Sequence, residues 1–138
     1  METVNIKGSC LCGEVSFEYI GVAKVFQYCH CSRCRKFTGS AHAANIIGEP
    51  DNFKWVTGDN SVGRFELPEV SHFATCFCKK CGSSLPWKTK SNKAVVIPAG
   101  SLDEDPNIKP KHNIFYENKA PWYINVDDLK KFDGLPTK

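Results

Sequence analysis

The chain has 138 residues, of which 24% are charged and 41% are hydrophobic, and its formal net charge is +3. That length suits one domain with one core, and this composition is neither that of a disordered polyelectrolyte nor that of a membrane protein. No apolar run approaches the roughly 20 residues that a membrane-spanning helix needs, and the first ten residues lack the apolar stretch of a signal peptide, so we expect a cytoplasmic protein without a membrane partner.

Short runs of apolar, β-branched and aromatic residues predict β-strands along most of the chain. In chain order these strands are 15–19, 25–28, 53–57, 63–67, 72–77, 94–98 and 113–116. Sequences rich in Gly, Pro, Asp and Asn separate them, and only 32–37 and 126–132 allow a helical turn or two. We therefore predict a mainly β fold with little helix, a β-sandwich of short antiparallel sheets formed by residues 1–138 as one domain. The aromatic-rich segment 109–125 is expected to pack on its body.

Eight cysteines fall into three groups, at about 6% of the chain and so below the roughly 8–10% that marks small disulfide scaffolds. The groups are Cys10 and Cys12; Cys29, Cys31 and Cys34; and Cys76, Cys78 and Cys81. Residues i and i+2 of an extended strand point to one face, so each Cys-x-Cys pair presents two sulfurs to the same place. Gly82, which follows the last group, can adopt the left-handed conformation that a metal-binding turn often needs. In a reducing compartment this clustering favours metal ligands over disulfides.

The spacing suits two zinc sites. Cys10, Cys12, Cys78 and Cys81 would form a closed site of four sulfurs, which we call the four-cysteine site. The remaining group, Cys29, Cys31 and Cys34, would form a three-cysteine site with a vacant fourth position. Structural zinc sites are closed, whereas catalytic sites keep a position open for water or substrate. Disulfides, metal-free buried cysteines and a purely structural second site, closed by Cys76 or a histidine, are the alternatives.

The eighth cysteine, Cys76, shares a strand face with Cys78, and a buried role is favoured over a fourth ligand or a resolving thiol.

Counting seven ligand cysteines as thiolates and adding two zinc ions lowers the net charge from +3 to 0. The segments 79–81 and 88–93 give only a short basic run, and acidic residues return soon after it. Charge therefore gives no support for a nucleic-acid partner.

Four segments carry a resemblance to a known family. The motifs GSCLCGEVSFEY, CHCSRCRKFTGS, FCKKCGSSLPW and KPKHNIFYENKAPWY, which extend from about Gly8 to Tyr123, resemble those of the glutathione-dependent formaldehyde-activating enzymes. Centromere protein V also looks related to this family. The resemblance implies a β-tent-like fold stapled by zinc, with a structural zinc in the four-cysteine site and a catalytic zinc in the three-cysteine site. It also implies a carbon–sulfur lyase that joins glutathione to formaldehyde as S-hydroxymethylglutathione.

The residues suggest how such a site could work. A zinc ion with three thiolates carries a formal charge of −1, so it is a weak Lewis acid whose natural fourth ligand is another sulfur. A coordinating thiol loses its proton and becomes a nucleophile at neutral pH, held near a carbonyl carbon. Strand alternation points His30 away from the metal, in a structural or solvent-facing role. Arg33, Arg35 and Lys36 could hold the carboxylates of glutathione or simply form a solvated charged turn.

Three aromatic side chains can also be interpreted in two ways. Trp87, Trp122 and Phe37 could line a pocket, although aromatic residues at strand ends more often belong to the core. Two other functions stay open at this stage. The chain could be a zinc-stapled binding module for protein or nucleic acid, or a catalytically silent member of the family.

Overall fold

Short β-strands dominate the computed structural model, which describes residues 2–136. Within this range the strands are β1 (Glu2–Ser9), β2 (Ser16–Cys29), β3 (Ala43–Gly48), β4 (Phe53–Thr57), β5 (Val62–Glu66), β6 (Ala74–Cys78), β7 (Ser84–Leu85), β8 (Trp87–Lys88), β9 (Val95–Pro98) and β10 (His112–Ile114). One α-helix, α1 (Ser32–Thr38), follows β2. Single turns of 3₁₀-helix occur at Pro50–Asn52, Asp59–Ser61, Ala99–Ser101, Tyr116–Asn118 and Val126–Asp128. No helix in 2–136 is long and apolar enough to cross a membrane.

The strands form two sheets, as the predicted fold class requires. The larger sheet has the order β1-β2-β3-β9-β8, with β4 and β10 also paired to β2, and the smaller has the order β5-β6-β7. Every pairing is antiparallel except that of β10, which runs parallel to the last residues of β2. The prediction of a mainly β protein with antiparallel sheets and little helix is confirmed.

One prediction of strand boundaries is wrong. The two strands expected at 15–19 and 25–28 are a single strand, β2, of 14 residues. Phe17, Tyr19 and Ala23 are buried in alternation, and the next buried apolar residue is Phe26, out of phase with them. The pairing of β2 with β3 shifts register between Ala23 and Val25. This bulge changes the burial phase, and the interrupted alternation looks like two strands in the sequence.

Strands β1 and β3 were not predicted. In β1 the buried residues alternate at Val4, Ile6 and Gly8, so the pattern was present among polar neighbours. In β3 burial follows no strict alternation, since Ala43, Ile46 and Gly48 are the buried positions. The helical turn expected at 126–132 is only the 3₁₀ turn Val126–Asp128.

The core lies between the two sheets and is centred on large side chains from several strands. Phe17, Tyr19, Ile46, Leu85 and Ile97 are each at most 1% exposed. The buried hydroxyl of Tyr19 donates to the carbonyl of Val22 (2.6 Å) and accepts from the backbone N–H of Glu49 (2.8 Å). This packing holds the first half of β2 against the end of β3. The other end of β2, from which the functional residues follow, pairs with the start of β3 through Cys29 and Ala43.

Candidate functional site

The three-cysteine site is built where β2 passes into α1. Cys29 is the last residue of β2, Cys31 caps the N-terminus of α1, and Cys34 lies in its first turn. The cap is made by sulfur, because Cys31 Sγ accepts a hydrogen bond from the backbone N–H of Cys34 at 3.4 Å. All three residues are buried, and their three Sγ atoms lie within 4.8 Å of one another. The predicted triplet is therefore a compact set of sulfurs that could hold a metal ion.

Protonation is unevenly shared in this set. The hydrogen bond from the Cys34 thiol lowers the pKa of Cys29 to about 6, against the opposing effect of burial, and contacts with Cys31 add to the lowering. The same bond, together with burial, raises the pKa of Cys34. Without a metal, these shifts favour the thiolate at Cys29 and the thiol at Cys34.

The four-cysteine site joins two distant turns. Cys10 and Cys12 lie between β1 and β2, whereas Cys78 ends β6 and Cys81 lies in the turn before β7. The Sγ atoms of Cys10 and Cys12 are 3.6 Å apart, those of Cys12 and Cys78 are 3.8 Å apart, and all four lie within 4.8 Å of one another. Tetrahedral zinc with bonds of about 2.3 Å requires sulfur–sulfur distances of about 3.8 Å. The donor set therefore fits a tetrahedral zinc ion.

Local hydrogen bonds shape the second of these turns. Gly82 has the left-handed conformation expected for it, at φ +77°, and its N–H donates to the carbonyl of Cys78 at 2.8 Å. Ser83 Oγ lies 3.1 Å from Cys81 Sγ and accepts from the backbone N–H of Leu11 at 2.9 Å. Hydrogen bonds from the side chain and backbone of Ser83 lower the pKa of Cys81 to about 5. Ser83 thus supports a ligand thiolate and also links the two turns.

Cys76 belongs to neither set of sulfurs. Its side chain is buried at 5% exposure, and its Sγ lies 4.0 Å from Nη1 of Arg64. Burial raises the pKa of the Cys76 thiol, although Arg64 opposes this effect. The favoured interpretation, a buried cysteine outside the metal sites, agrees with this geometry.

His30 lies between two of the clustered cysteines and is completely buried. Its Nε2 is 2.9 Å from Oδ1 of Asn113, and its Nδ1 has no hydrogen-bond partner among the described residues. Its ring packs against His42, Tyr116 and Tyr123, with centroid distances of 4.9, 5.1 and 5.2 Å. The solvent-facing alternative for His30 is therefore wrong, and C-terminal residues cover the turn that carries the three-cysteine site.

Asn113, Tyr116 and Tyr123 were not predicted as neighbours of this turn. The aromatic-rich segment was expected to pack on the body, and it does so as far as Tyr123. Trp122, by contrast, is 66% exposed. Trp87 is buried against Phe73, with ring centroids 5.2 Å apart, and it also lines a small recess together with Cys34 and Phe37.

A polar cavity of about 620 Å³ lies between the elements that carry the two cysteine sets. Cys10 and Leu11 line it on one side and Thr38, His42 and Ala43 on the other. Its remaining lining is rich in hydroxyl groups and includes a carboxylate: Ser9, Ser83, Ser84, Ser101 and Asp103. A recess of about 30 Å³, lined by Cys34 and Phe37, shares Thr38 and Ala43 with this cavity. The three-cysteine site therefore reaches the recess through Cys34, and the recess in turn borders a cavity of the size that small-molecule ligands occupy.

A second surface lies on another face of α1. Arg33, Lys36 and Phe37 have the i, i+3, i+4 spacing of one helix face, whereas Cys34 and Thr38 share a different face. With residues of β5, β6 and the intervening loop they line an apolar space of about 310 Å³ that we call the α1 groove: Arg33, Lys36, Phe37, Phe65, Leu67, Phe73 and Thr75. Two of the three cations near the cysteines thus face this groove, and neither Arg33 nor Lys36 lines the polar cavity.

Comparison with known proteins gives a consistent picture. Residues 5–118 match the profile of a family described as glutathione-dependent formaldehyde-activating enzyme. A protein of Halomonas elongata, named as a candidate glutathione-dependent formaldehyde-activating enzyme, is 30% identical over 140 aligned positions that cover 95% of this chain and 88% of the relative. The crystal structure of a Rhodobacter sphaeroides protein has a TM-score of 0.60 at 19% identity, covering 78% of this chain and 98% of that one. The last likeness shows a shared fold.

Proposed function

The chain belongs to the glutathione-dependent formaldehyde-activating enzyme family, and from that membership we propose that it joins glutathione to formaldehyde as S-hydroxymethylglutathione. In this reaction the thiol sulfur forms a bond to the aldehyde carbon, and the carbonyl π pair takes up a proton to become the product hydroxyl. The reverse reaction breaks a carbon–sulfur bond, which makes the enzyme a carbon–sulfur lyase. The observation that carries the proposal is the cluster of three Cys Sγ atoms, of which the Cys34 residue lines a small recess that borders the polar cavity.

The proposal includes two zinc ions for each chain. The four-cysteine site would hold a structural ion, because four sulfurs at tetrahedral spacing leave no position for substrate. The three-cysteine site would hold the second ion, with Cys29, Cys31 and Cys34 as its catalytic ligands. Zinc held by three cysteines supplies a site at which a substrate thiol loses its proton at neutral pH.

The chain itself would bind and orient the substrates. The polar cavity offers hydroxyl groups and the Asp103 carboxylate, which match the amides, carboxylates and ammonium group of a short peptide thiol such as glutathione. Ser9 Oγ donates to Asp103 Oδ1 at 2.7 Å and so orients this carboxylate. The recess beside Cys34 has room for a molecule of about two heavy atoms, which is the size of formaldehyde.

Cobalt substitution tests the proposal, because sulfur-to-cobalt charge transfer makes each coordinated thiolate visible. Glutathione added to the cobalt-loaded protein should strengthen this absorption and release about one proton per site. Formaldehyde added next should consume thiol catalytically. Cys31→Ser should abolish both responses, whereas the matched control Cys76→Ser should keep them, because Cys76 lies outside both sulfur sets.

The outcomes separate the possible functions. An absorption change with turnover supports the lyase, and a change without turnover identifies a thiol-binding but catalytically silent member of the family. No change at all would mean that the fourth position is already filled, and the proposed catalytic site would be wrong.

A further inference from the structure

The C-terminal segment leaves the body of the protein with a series of uncovered apolar side chains. From residue 124 to residue 136 every side chain is exposed. Six large apolar residues of 122–136, which we call the C-terminal arm, are between 45% and 90% exposed: Trp122, Ile124, Val126, Leu129, Phe132 and Leu135. Single exposed apolar residues are ordinary, but a continuous series of this kind marks a surface that another molecule covers.

The arm has local order of its own. Asn125 Oδ1 accepts from the N–H of Asp127 at 3.0 Å, which caps the 3₁₀ turn Val126–Asp128. Lys131 Nζ lies 3.9 Å from Asp127 Oδ1 across one further turn. A segment already shaped in this way loses less conformational entropy on binding. The arm carries the adjacent carboxylates Asp127 and Asp128, followed by Lys130 and Lys131, and Asp128 forms no ion pair within residues 2–136.

The α1 groove has the complementary properties. Its apolar floor includes Phe73, and Phe65 on its rim is 52% exposed. The guanidinium of Arg33 lies over the Phe73 ring at 5.6 Å, and its Nε is buried without a hydrogen-bond partner in 2–136. Within the same residues neither Arg33 nor Lys36 forms an ion pair. The groove thus combines an uncovered apolar surface with two cations that lack an acidic partner.

We propose that two copies of this chain form a symmetric dimer in which the C-terminal arm of each protomer lies in the α1 groove of its partner. Asp127 and Asp128 then face Arg33 and Lys36, while Val126 and Leu129 cover the apolar floor. Both halves of the contact are on the same chain, so a twofold axis repeats it and closes the assembly.

Sedimentation of the full zinc-loaded chain measures the predicted assembly directly. The wild-type protein should have twice the 15.4 kDa mass of one chain at micromolar concentration. Leu129→Asp should halve that mass while leaving the zinc content unchanged. Val56→Asp is the matched control, because Val56 is similarly exposed at 54% but lies in β4, away from the arm and the groove, and this variant should remain dimeric.

A charge exchange then tests the predicted contact. Asp127→Lys combined with Asp128→Lys should give a monomer, and so should Lys36→Glu combined with Arg33→Glu. Mixing the two variants should restore dimers that contain one chain of each, because both arm–groove contacts are then complementary, whereas each variant alone pairs like charges. A monomeric wild type, with or without protease protection of the arm, would overturn the proposal. A wild-type dimer that survives Leu129→Asp, or a mixture that stays monomeric, would overturn it equally.

Discussion

Nε2 of His30 and Oδ1 of Asn113 are 2.9 Å apart, although 83 residues separate them in the sequence. A backbone bond from the N–H of His30 to the carbonyl of Ile114, at 3.0 Å, lies beside this contact. The turn that carries the three-cysteine site is therefore attached to β10 by both its backbone and a buried side chain. This attachment predicts that Asn113 contributes to stability without touching a metal ligand.

Asn113→Leu should lower the free energy of unfolding by about 1–3 kcal/mol, because the buried His30 ring loses its only hydrogen-bond partner in the described structure. Thermal unfolding of the zinc-loaded protein measures this loss. Gln27→Leu is a suitable control, since it breaks the similar but exposed contact of Gln27 with His112, also at 2.9 Å. That control should change stability by less than about 0.5 kcal/mol. Equal losses for the two variants would contradict the prediction.

Cys10→Ser should release one zinc ion and cause unfolding or insolubility. Structural zinc contributes on the order of 10 kcal/mol to the folding of small domains. The four-cysteine site connects residues 66 apart, as the contact of Cys12 with Cys78 shows, so its loss disconnects the β1–β2 turn from the smaller sheet. Metal content and a melting curve measure the effect. A soluble protein with a cooperative melt like that of the wild type would refute the structural assignment.

Cys31→Ser should release the other zinc ion and leave the melt nearly unchanged. The three-cysteine site lies within six consecutive residues, 29–34, and connects no distant parts of the chain. Its metal therefore adds little to the closure of the core, in contrast to the four-cysteine site. Zinc content and the melt of the purified variant measure both effects. If both ions leave together, the assignment of two separate sites is wrong.

Cys76 should be the slow-reacting thiol of the zinc-loaded protein. Burial raises its pKa, so little of it is thiolate at neutral pH, and its reaction with a thiol reagent should accelerate as the pH rises. If the seven clustered cysteines bind zinc as proposed, the bound ions should protect them from the reagent. Cys76→Ala should remove the slow phase and retain both zinc ions. Loss of zinc from this variant would show instead that Cys76 is a ligand.

Local sequence patterns were sufficient to predict the cysteine sets and several elements. β4 matches the strand predicted at 53–57 residue for residue, and α1 extends the predicted helical segment 32–37 by one residue. Both follow from nearest-neighbour patterns of burial or capping. The sulfur sets are also partly local, because Cys-x-Cys and Cys-x-x-Cys spacings bring pairs together before any tertiary structure forms.

Features that depend on contacts between distant parts of the chain could not be predicted from local sequence patterns. The bulge near Ala23 changes the burial phase within β2 and made one strand look like two. The position of Asn113 beside His30 depends on the parallel pairing of β10 with the end of β2. No composition or spacing near either residue indicates this contact, since His30 and Asn113 meet only after the larger sheet has formed.

The parallel pairing of β10 with β2 also sets the order in which the chain can assemble during its synthesis. All three ligands of the three-cysteine site have emerged by residue 34, and those of the four-cysteine site by residue 81. The residues that cover His30 follow only at 113, 116 and 123. Domains generally fold from the N-terminus as they are translated. A ribosome-bound chain can therefore bring both cysteine sets together while the turn at 29–34 is still open to solvent, and the aromatic cover is the last part to close.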